Sequence, residues 1–368
     1  MGKFANFLAG KKRTTGTQKF SWVRAIAFVL FTVAVIVGGR FIVVGLPEVK
    51  TNVWFDTDCL PDDNVALAMV LANRKTLNLC GVSVQALNAD HKIAIKNALS
   101  LLSLFGAKNV PVVDGAHNTL LQRRQTCIDE QYALGDLQLE DNGKNYTAAD
   151  GLLYMRNEIL SLPSDEKITI VAIAPLTTEA ILLKTFPDVA SKIERIIIMG
   201  GAINIRGNAA PYAEFNAFQD PEALDVILKS GVPIVMVPLD ITQKLQVTKE
   251  EFEPLLKSDK EELVMIGQLI ERIANSREEY KGQVAPIHDM VSIQYLTRPE
   301  NFTGYYANVE VVLEGNERGR VIATRTNDTN NKNAVYIVSD CLQENFISAF
   351  KEDLNKLTDY IYYFKAKK

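Results

Sequence analysis

Beyond Pro47 the chain alternates short β-branched runs with stretches of helical period, and this alternation narrows the fold more than any other feature. Strand-type runs stand at 53–55, 77–84, 110–113, 168–173, 195–199 and 234–237. Helical spacing fills 62–75, 91–105, 149–160, 177–184, 221–228 and 249–257. Short, nearly continuous apolar runs suit strands covered on both faces, and strands alternating with helices build βαβ units. The reading is an α/β protein: a mainly parallel sheet flanked by helices, with a Rossmann-like core. Downstream, 261–279 predicts a helix, 308–313 and 334–338 predict edge strands, and 342–364 predicts a closing helix. The stretch 122–147 is polar and weakly patterned, long enough to be a functional loop.

The first 46 residues follow different rules. Residues 1–21 are polar and basic (Lys3, Lys11, Lys12, Arg13, Lys19), whereas 22–46 is almost wholly apolar, interrupted by Arg24 and Arg40. The longest charge-free run, 25–39, falls short of the ~20 residues that usually span a bilayer, but Arg40 can snorkel and 41–46 extends the run. The expectation is a basic cytoplasmic tail over 1–21, one N-terminal transmembrane helix acting as a signal anchor over 22–46, and a domain over 47–368 held outside the cytoplasm. A cleaved signal peptide is the competing reading; the long stretch before the apolar run and the lack of an A-x-A site weigh against it.

Composition removes other classes. Lys and Arg number 40 against 44 Asp and Glu, so no basic excess is available to hold nucleic acid. Cys59, Cys80, Cys127 and Cys341 have no C-x-x-C spacing, which excludes a zinc ribbon or thioredoxin-type site, and they are too sparse for a disulfide framework. Cys59 reads as a buried thiol, and His91 and His117 as surface or helix residues. Sequons at Asn145, Asn301 and Asn327 matter only in a host that glycosylates secreted proteins.

Four carboxylates, Asp56, Asp58, Asp62 and Asp63, crowd the exit of the first strand, and a His288-Asp289 pair follows Pro286 far downstream. Packed like charges raise one another's pKa or call for a counter-charge, and an all-oxygen set suits Ca²⁺ or Mg²⁺. Helix N-capping is the plainer explanation, but it accounts for one or two of the four. Ligands in open α/β sheets bind at the carboxyl ends of strands. Asn88 follows the 77–84 run, Ala174-Pro175-Leu176-Thr177 follows 168–173, and Gly200-Gly201 follows 195–199, with Asn208, Glu214 and Asn216 beyond. Separate loops thus bring carboxylates and amides to one edge of the sheet.

The order Asp56-Thr57-Asp58-Cys59-Leu60-Pro61-Asp62-Asp63, Asn88, Ala174-Pro175-Leu176-Thr177, Met199-Gly200-Gly201-Ala202, Asn208, Glu214-Phe215-Asn216 and His288-Asp289 resembles the inosine-uridine preferring nucleoside hydrolase family across 52–325. The resemblance implies a parallel-sheet core, a tightly held Ca²⁺ and hydrolysis of the N-glycosidic bond of ribonucleosides to free base and ribose by the 47–368 domain. It implies Asp58, Asp63, Asp289 and the carbonyl of Ile173 as calcium ligands, with Asp58 also the general base. Asp62, Asn88 and Asn216 would grip the ribose, Asn208 and Glu214 would face its 5′-hydroxyl, and His288 would sit near the base as a catalytic proton donor to it. Homo-oligomers are common in the family, and no residue here decides between them. Cleavage builds positive charge on the sugar, so carboxylates around it favour the transition state.

Departures sit in the same motifs. Cys59-Leu60 replaces a usual Pro-Gly, so Leu60 is expected to alter the seat of the attacking water or to narrow the site; Leu87 and Ala174 replace glycines, and the 122–147 stretch lacks the family's His-Gly element. A second reading follows from them: a membrane-tethered, non-catalytic nucleoside- or ribose-binding protein on the same fold. Phosphoryl transfer from an acidic loop is a third and weaker one, since no partner Lys and Mg²⁺ loop is evident.

Overall fold

The computed structural model describes residues 35–37, 40–42, 50–85, 91–121, 146–147, 151–328, 331 and 333–365. The chain divides into two units, Met1–Val49 and Lys50–Lys368. In the first, Val35–Val37 pairs antiparallel with Arg40–Ile42. The rest of the expected 22–46 anchor and the 1–21 tail lie outside the described residues, as do Asn88 and nearly all of the 122–147 loop. No helix among the described residues is long and apolar enough to cross a membrane.

The second unit opens with β1 (Thr51–Thr57), α1 (Pro61–Ala72), β2 (Leu77–Val84), α2 (His91–Leu104), β3 (Val112–Asp114) and the two-residue β4 (Tyr146–Thr147). It continues with α3 (Gly151–Ser161), β5 (Ile168–Ala172), α4 (Thr177–Thr185), β6 (Ile193–Met199), α5 (Phe215–Gln219), α6 (Pro221–Leu228) and β7 (Ile234–Val237). After α7 (Leu239–Thr242), a short pair formed by β8 (Gln246–Thr248) and β9 (Val284–Pro286) brackets α8 (Lys249–Leu256) and α9 (Glu261–Asn275). The unit closes with α10 (His288–Thr297), β10 (Phe302–Val311), β11 (Val321–Arg325), β12 (Ala334–Cys341) and α11 (Gln343–Lys365).

Ten strands form one sheet in the order β11-β10-β12-β7-β6-β5-β1-β2-β3-β4. Pairing is parallel from β12 through β4, and β10 and β11 extend the sheet by antiparallel pairing. The expected mainly parallel α/β sheet is what forms. Successive side chains go to opposite faces. Val53, Phe55, Val171, Ile197 and Val235 join the core under α1, α9, α10 and α11. Their neighbours Trp54, Ile170, Ile196, Ile198 and Met236 join the core under α3, α4 and α6. Burial of both faces leaves no polar side to these strands, which is why their sequence runs are nearly continuously apolar.

One helix departs from the usual amphipathic pattern. Eleven of the twelve residues of α1 are buried, because α9, α10 and α11 all pack against it. A helix enclosed on all sides has no polar stripe, so its N-terminal Pro61 and first-turn Asp62 and Asp63 mark its start instead. The first-turn carboxylates are favoured by the N-terminal partial charge of the helix. Across the sheet the Trp54 ring lies over Gly81, where an added Cβ would sit 2.5 Å from Cζ3, and its Nε1 donates to Ser83 Oγ at 3.0 Å. Only glycine leaves room for the indole there.

Candidate active site

Each sequence-nominated residue that the structure describes is found at the carboxyl edge of the sheet. Asp58 follows β1, Asp62 and Asp63 lie in the first turn of α1, Ile173 follows β5, Asn208, Glu214 and Asn216 follow β6, and Asp289 lies in the first turn of α10. Together with His288 they line a cavity of about 320 Å³. Oxygens of Asp62, Asp63 and Asp289 come within 4.8 Å of one another. The N-termini of α1 and α10 therefore face a common point, although their residues are far apart in the chain.

The loop that brings the aspartates here is held by its own hydrogen bonds. Thr57 Oγ1 donates to Asp63 Oδ1 at 2.6 Å, and the Asp58 amide donates to the same oxygen at 3.1 Å. The Cys59 amide donates to Thr57 Oγ1 at 2.9 Å, and Asn64 Nδ2 donates to the Cys59 carbonyl at 3.0 Å. Cys59 takes the left-handed conformation, φ +60°, while Leu60 is ordinarily extended at φ −68°. The unusual backbone angle that a glycine would permit here falls on Cys59, not on Leu60. The loop turns one residue earlier, with the network around Thr57 and Asn64 holding a non-glycine residue in a conformation that costs about 1–3 kcal/mol. Leu60 instead contributes its side chain to the cavity wall.

Asp56 does different work from its neighbours. It is buried, accepts hydrogen bonds from Ser83 Oγ and Gln85 Nε2, and is absent from the cavity lining. Gln85 Nε2 also donates to the Pro175 carbonyl, so the Asp56 carboxylate belongs to a clasp joining the exits of β1, β2 and β5. Burial pushes its pKa up to about 7, against hydrogen bonds that lower it. Of the four crowded acids, one is structural.

The remaining acids are electrostatically incompatible with one another when all are ionised. Burial comes first in raising Asp62 to about 6, with the Asp58 charge adding to it. Burial also drives Asp63 and Asp289 well above the carboxylate range, reinforced by Asp58 and Asp62 at Asp63 and by Asp62, Asp63 and Asp58 at Asp289. A divalent cation relieves this repulsion, and the all-oxygen donor set fits a hard ion. Further round the cavity, the Ile173 carbonyl accepts from Asn216 Nδ2 at 2.8 Å, and Asn216 Nδ2 also reaches the Met199 carbonyl at 3.2 Å. That leaves Asn216 Oδ1 free of this role and able to face a ligand hydroxyl.

Glu214 is the N-cap of α5. Its Oε1 accepts from the Asn216 amide at 2.8 Å, and its Oε2 accepts from the Gly201 and Ala217 amides at 2.9 and 3.0 Å. Gly201, at φ +87°, turns the chain so that this amide points at the carboxylate. Asn208 Oδ1 accepts from the Phe215 amide at 2.9 Å, which orients its amide group. His288 Nδ1 lies 2.8 Å from Thr242 Oγ1. Desolvation, then the positive charge of Arg277, lowers the His288 pKa to about 4. The ring is therefore neutral at pH 7, which departs from the expectation of a proton donor titrating near neutrality, because burial disfavours the imidazolium.

Part of the cavity lining was not visible in the sequence. Ile273 and Ser276 from the end of α9, with Arg277 and Tyr280 from the turn after it, complete the cavity. The only available signal was an arginine and a tyrosine just past a helix terminus, a pattern that many surface turns share. Among the departures from the family motif, Leu87 falls outside the described residues and Ala174 is fully buried.

An open parallel sheet with carboxylates from two helix N-termini gathered at its carboxyl edge defines an α/β enzyme with a cation-type site. The sequence model of the inosine-uridine preferring nucleoside hydrolase family matches residues 53–348. Among curated relatives, the chain is 30% identical over 320 residues to a pyrimidine-specific ribonucleoside hydrolase RihA of Citrobacter koseri, covering 82% of this chain and 97% of that protein. It is 31% identical over 310 residues to the RihA protein of Escherichia coli O1:K1, covering 81% and 96%. Among solved structures, a plant nucleoside hydrolase, PpNRh1, superposes with a TM-score of 0.75 at 27% identity, covering 83% of this chain and 99% of its own. A purine-preferring ribonucleoside hydrolase from Gardnerella vaginalis shares the fold, with a TM-score of 0.74 at 22% identity, covering 83% and 99%. The chain belongs to the inosine-uridine preferring nucleoside hydrolase family and is an N-glycosyl hydrolase of ribonucleosides.

Proposed function

We propose that this protein hydrolyses the N-glycosidic bond of ribonucleosides, with Ca²⁺ as its resident ion, releasing free nucleobase and ribose. One observation carries the reading: Asp58, Asp62 and Asp63 converge with the distant Asp289 on a cavity of about 320 Å³ that amides also line. Asp58, Asp63, Asp289 and the Ile173 carbonyl would hold the ion, with Asp62 close enough to Asp63 and Asp289 to share that duty with its ribose contact. When bound, calcium gathers ribose hydroxyls and acidifies a water.

Asp58 is placed to take the proton of the attacking water as general base. Asn216 and Asn88 bind the ribose, and Asn208 and Glu214 meet its 5′-hydroxyl. Glu214 and Asn208 are pre-oriented by backbone amides, so little entropy is lost on binding. His288, held by Thr242, hydrogen-bonds the departing base in its neutral form. Arg277, whose charge reaches His288, and Tyr280 line the same cavity and offer groups from which base preference can be set. The direct test is release of reducing sugar by the full chain from inosine, uridine, adenosine, guanosine and cytidine. Release abolished by chelator and by Asp289→Ala is expected; saturable nucleoside binding without release above background would favour the tethered binding protein instead.

We further propose that the catalytic domain is tethered to a membrane on its extracytoplasmic side by the 22–46 segment. The support is the apolar run 25–39 behind a lysine-rich tail. The strand pairing of Val35–Val37 with Arg40–Ile42 has to yield to helix in a bilayer, where backbone groups are satisfied within one segment. Cell fractionation should place the protein in the membrane pellet, resistant to carbonate extraction, with the domain open to externally added protease. A soluble, protected product would remove the anchor.

A further inference from the structure

We propose that His91, Asp114 and His117 form a second metal site, for a transition ion of the zinc class, that clamps the first turn of α2 to the segment leaving β3. The chain has three histidines, and two of them meet at this one carboxylate. His117 Nε2 lies 2.7 Å from Asp114 Oδ1, and His91 Nε2 contacts the same oxygen. The two imidazole rings are 4.0 Å apart and tilted by 43°. Ligand atoms of all three residues fall within 4.8 Å of one another, a spread that a single ion bridges with metal–ligand bonds of about 2.0–2.2 Å.

The donor chemistry separates this locus from the active site. Two nitrogens and one carboxylate favour zinc, cobalt or copper, whereas the aspartate cluster offers oxygen alone and favours calcium. The three residues are carried by regular structure and a hydrogen-bonded segment, as a selective site requires. His91 is the first residue of α2, and Asp114 ends β3 in register with Val84. The segment carrying His117 is tied down by Gly115 N to the Val84 carbonyl at 2.8 Å, Ala116 N to Thr178 Oγ1 at 3.1 Å and Leu120 N to Asp220 Oδ2 at 2.8 Å. The His91 and Asp114 side chains are 15% and 18% exposed, whereas that of His117 is 54% exposed. Three protein ligands with one open side leave room for a water, unlike the closed four-ligand sites of purely structural zinc. In sequence, His91 stands three residues after Asn88, so an ion here would fix the helix that begins just after a residue proposed to bind the ribose.

The test titrates Zn²⁺, and separately Co²⁺, into the full chain saturated with Ca²⁺. Calorimetry should find one further ion per chain bound in the micromolar range or tighter, and Co²⁺ should give a visible absorption band of nitrogen-ligated, low-coordinate type. His117→Ala, at an exposed position, and His91→Gln, which keeps polarity, should each weaken binding by about 100-fold, whereas Asp289→Ala should leave it intact. Thermal melts verify that both histidine variants are folded. No ion bound more tightly than on the order of 100 µM, or binding that both histidine variants leave unchanged, overturns the proposal.

Discussion

Asp58→Asn is expected to lower kcat for ribonucleoside cleavage by about three orders of magnitude or more. A general base alone is worth roughly 10²–10⁴ in rate, and the same substitution takes a negative oxygen from the cation site. The loss should fall mainly on kcat, because the asparagine amide retains the shape of the side chain and the cavity wall is otherwise intact. Misfolding can be separated from lost chemistry by the sign of the stability change. Asp58 raises the pKa values of Asp62, Asp63 and Asp289 by its charge, so removing that charge should stabilise the metal-free protein rather than weaken it. An Asp58→Asn enzyme that keeps activity within tenfold of the parent would take the general-base role away from this residue.

The second large effect joins pH, calcium and stability. Without the ion, Asp62, Asp63 and Asp289 hold protons in the folded state at pH values where the unfolded chain has released them, burial being the main cause. A carboxyl whose folded pKa is raised contributes stability below its unfolded value near 4, and that contribution disappears as pH rises through the folded value, about 6 for Asp62. The chelated protein should therefore lose thermal stability between pH 5 and pH 7.5. Calcium reverses the trend by favouring the ionised cluster and should release protons on binding. At about 100 times its Kd it adds roughly 2.7 kcal/mol, or about 5 °C in Tm for a domain of this size. Scanning calorimetry across that pH range, with and without chelator, reads the effect. A Tm indifferent to chelator at every pH would mean that these aspartates hold no ion.

The elements of the sheet were legible because burial on both faces leaves a plain mark. The runs 77–84 and 234–237 are predicted with the bounds that β2 and β7 have, as is 221–228 for α6. Strand β11 passed unread, since its outer residues are polar or exposed and it contributes Val321 alone to the deeply buried core. The short pair β8 and β9 was missed for a related reason: three residues joined across the span of two helices carry no local period.

Much of the candidate site was also legible, in part through the family resemblance, because it rests on residue types that have few other reasons to cluster. Residue type, position after the strands and the family resemblance together nominated Asp58, Asp62, Asp63, Asn208, Glu214, Asn216, His288 and Asp289, and all eight line one cavity. Residues with ambiguous local context were not separable in the same way. Asp56 looks identical to its neighbours in a string of letters, yet the side-chain alternation of β1 sends it to Ser83 and Gln85 instead of the cavity. His91 and His117 read as surface or helix residues, which they are, but only the parallel pairing of β2 with β3 shows that both meet Asp114.

The sequence by itself determined the layered α/β architecture, the family and the acidic character of the site, since periodicity and side-chain chemistry are local properties written residue by residue. Only the tertiary structure decided which aspartate clasps strands and which ones share a cavity, that the left-handed turn falls at Cys59, that His288 is neutral, and that Arg277 and Tyr280 line the same cavity. Those outcomes depend on burial and on distances between remote segments, which exist only once the chain has packed.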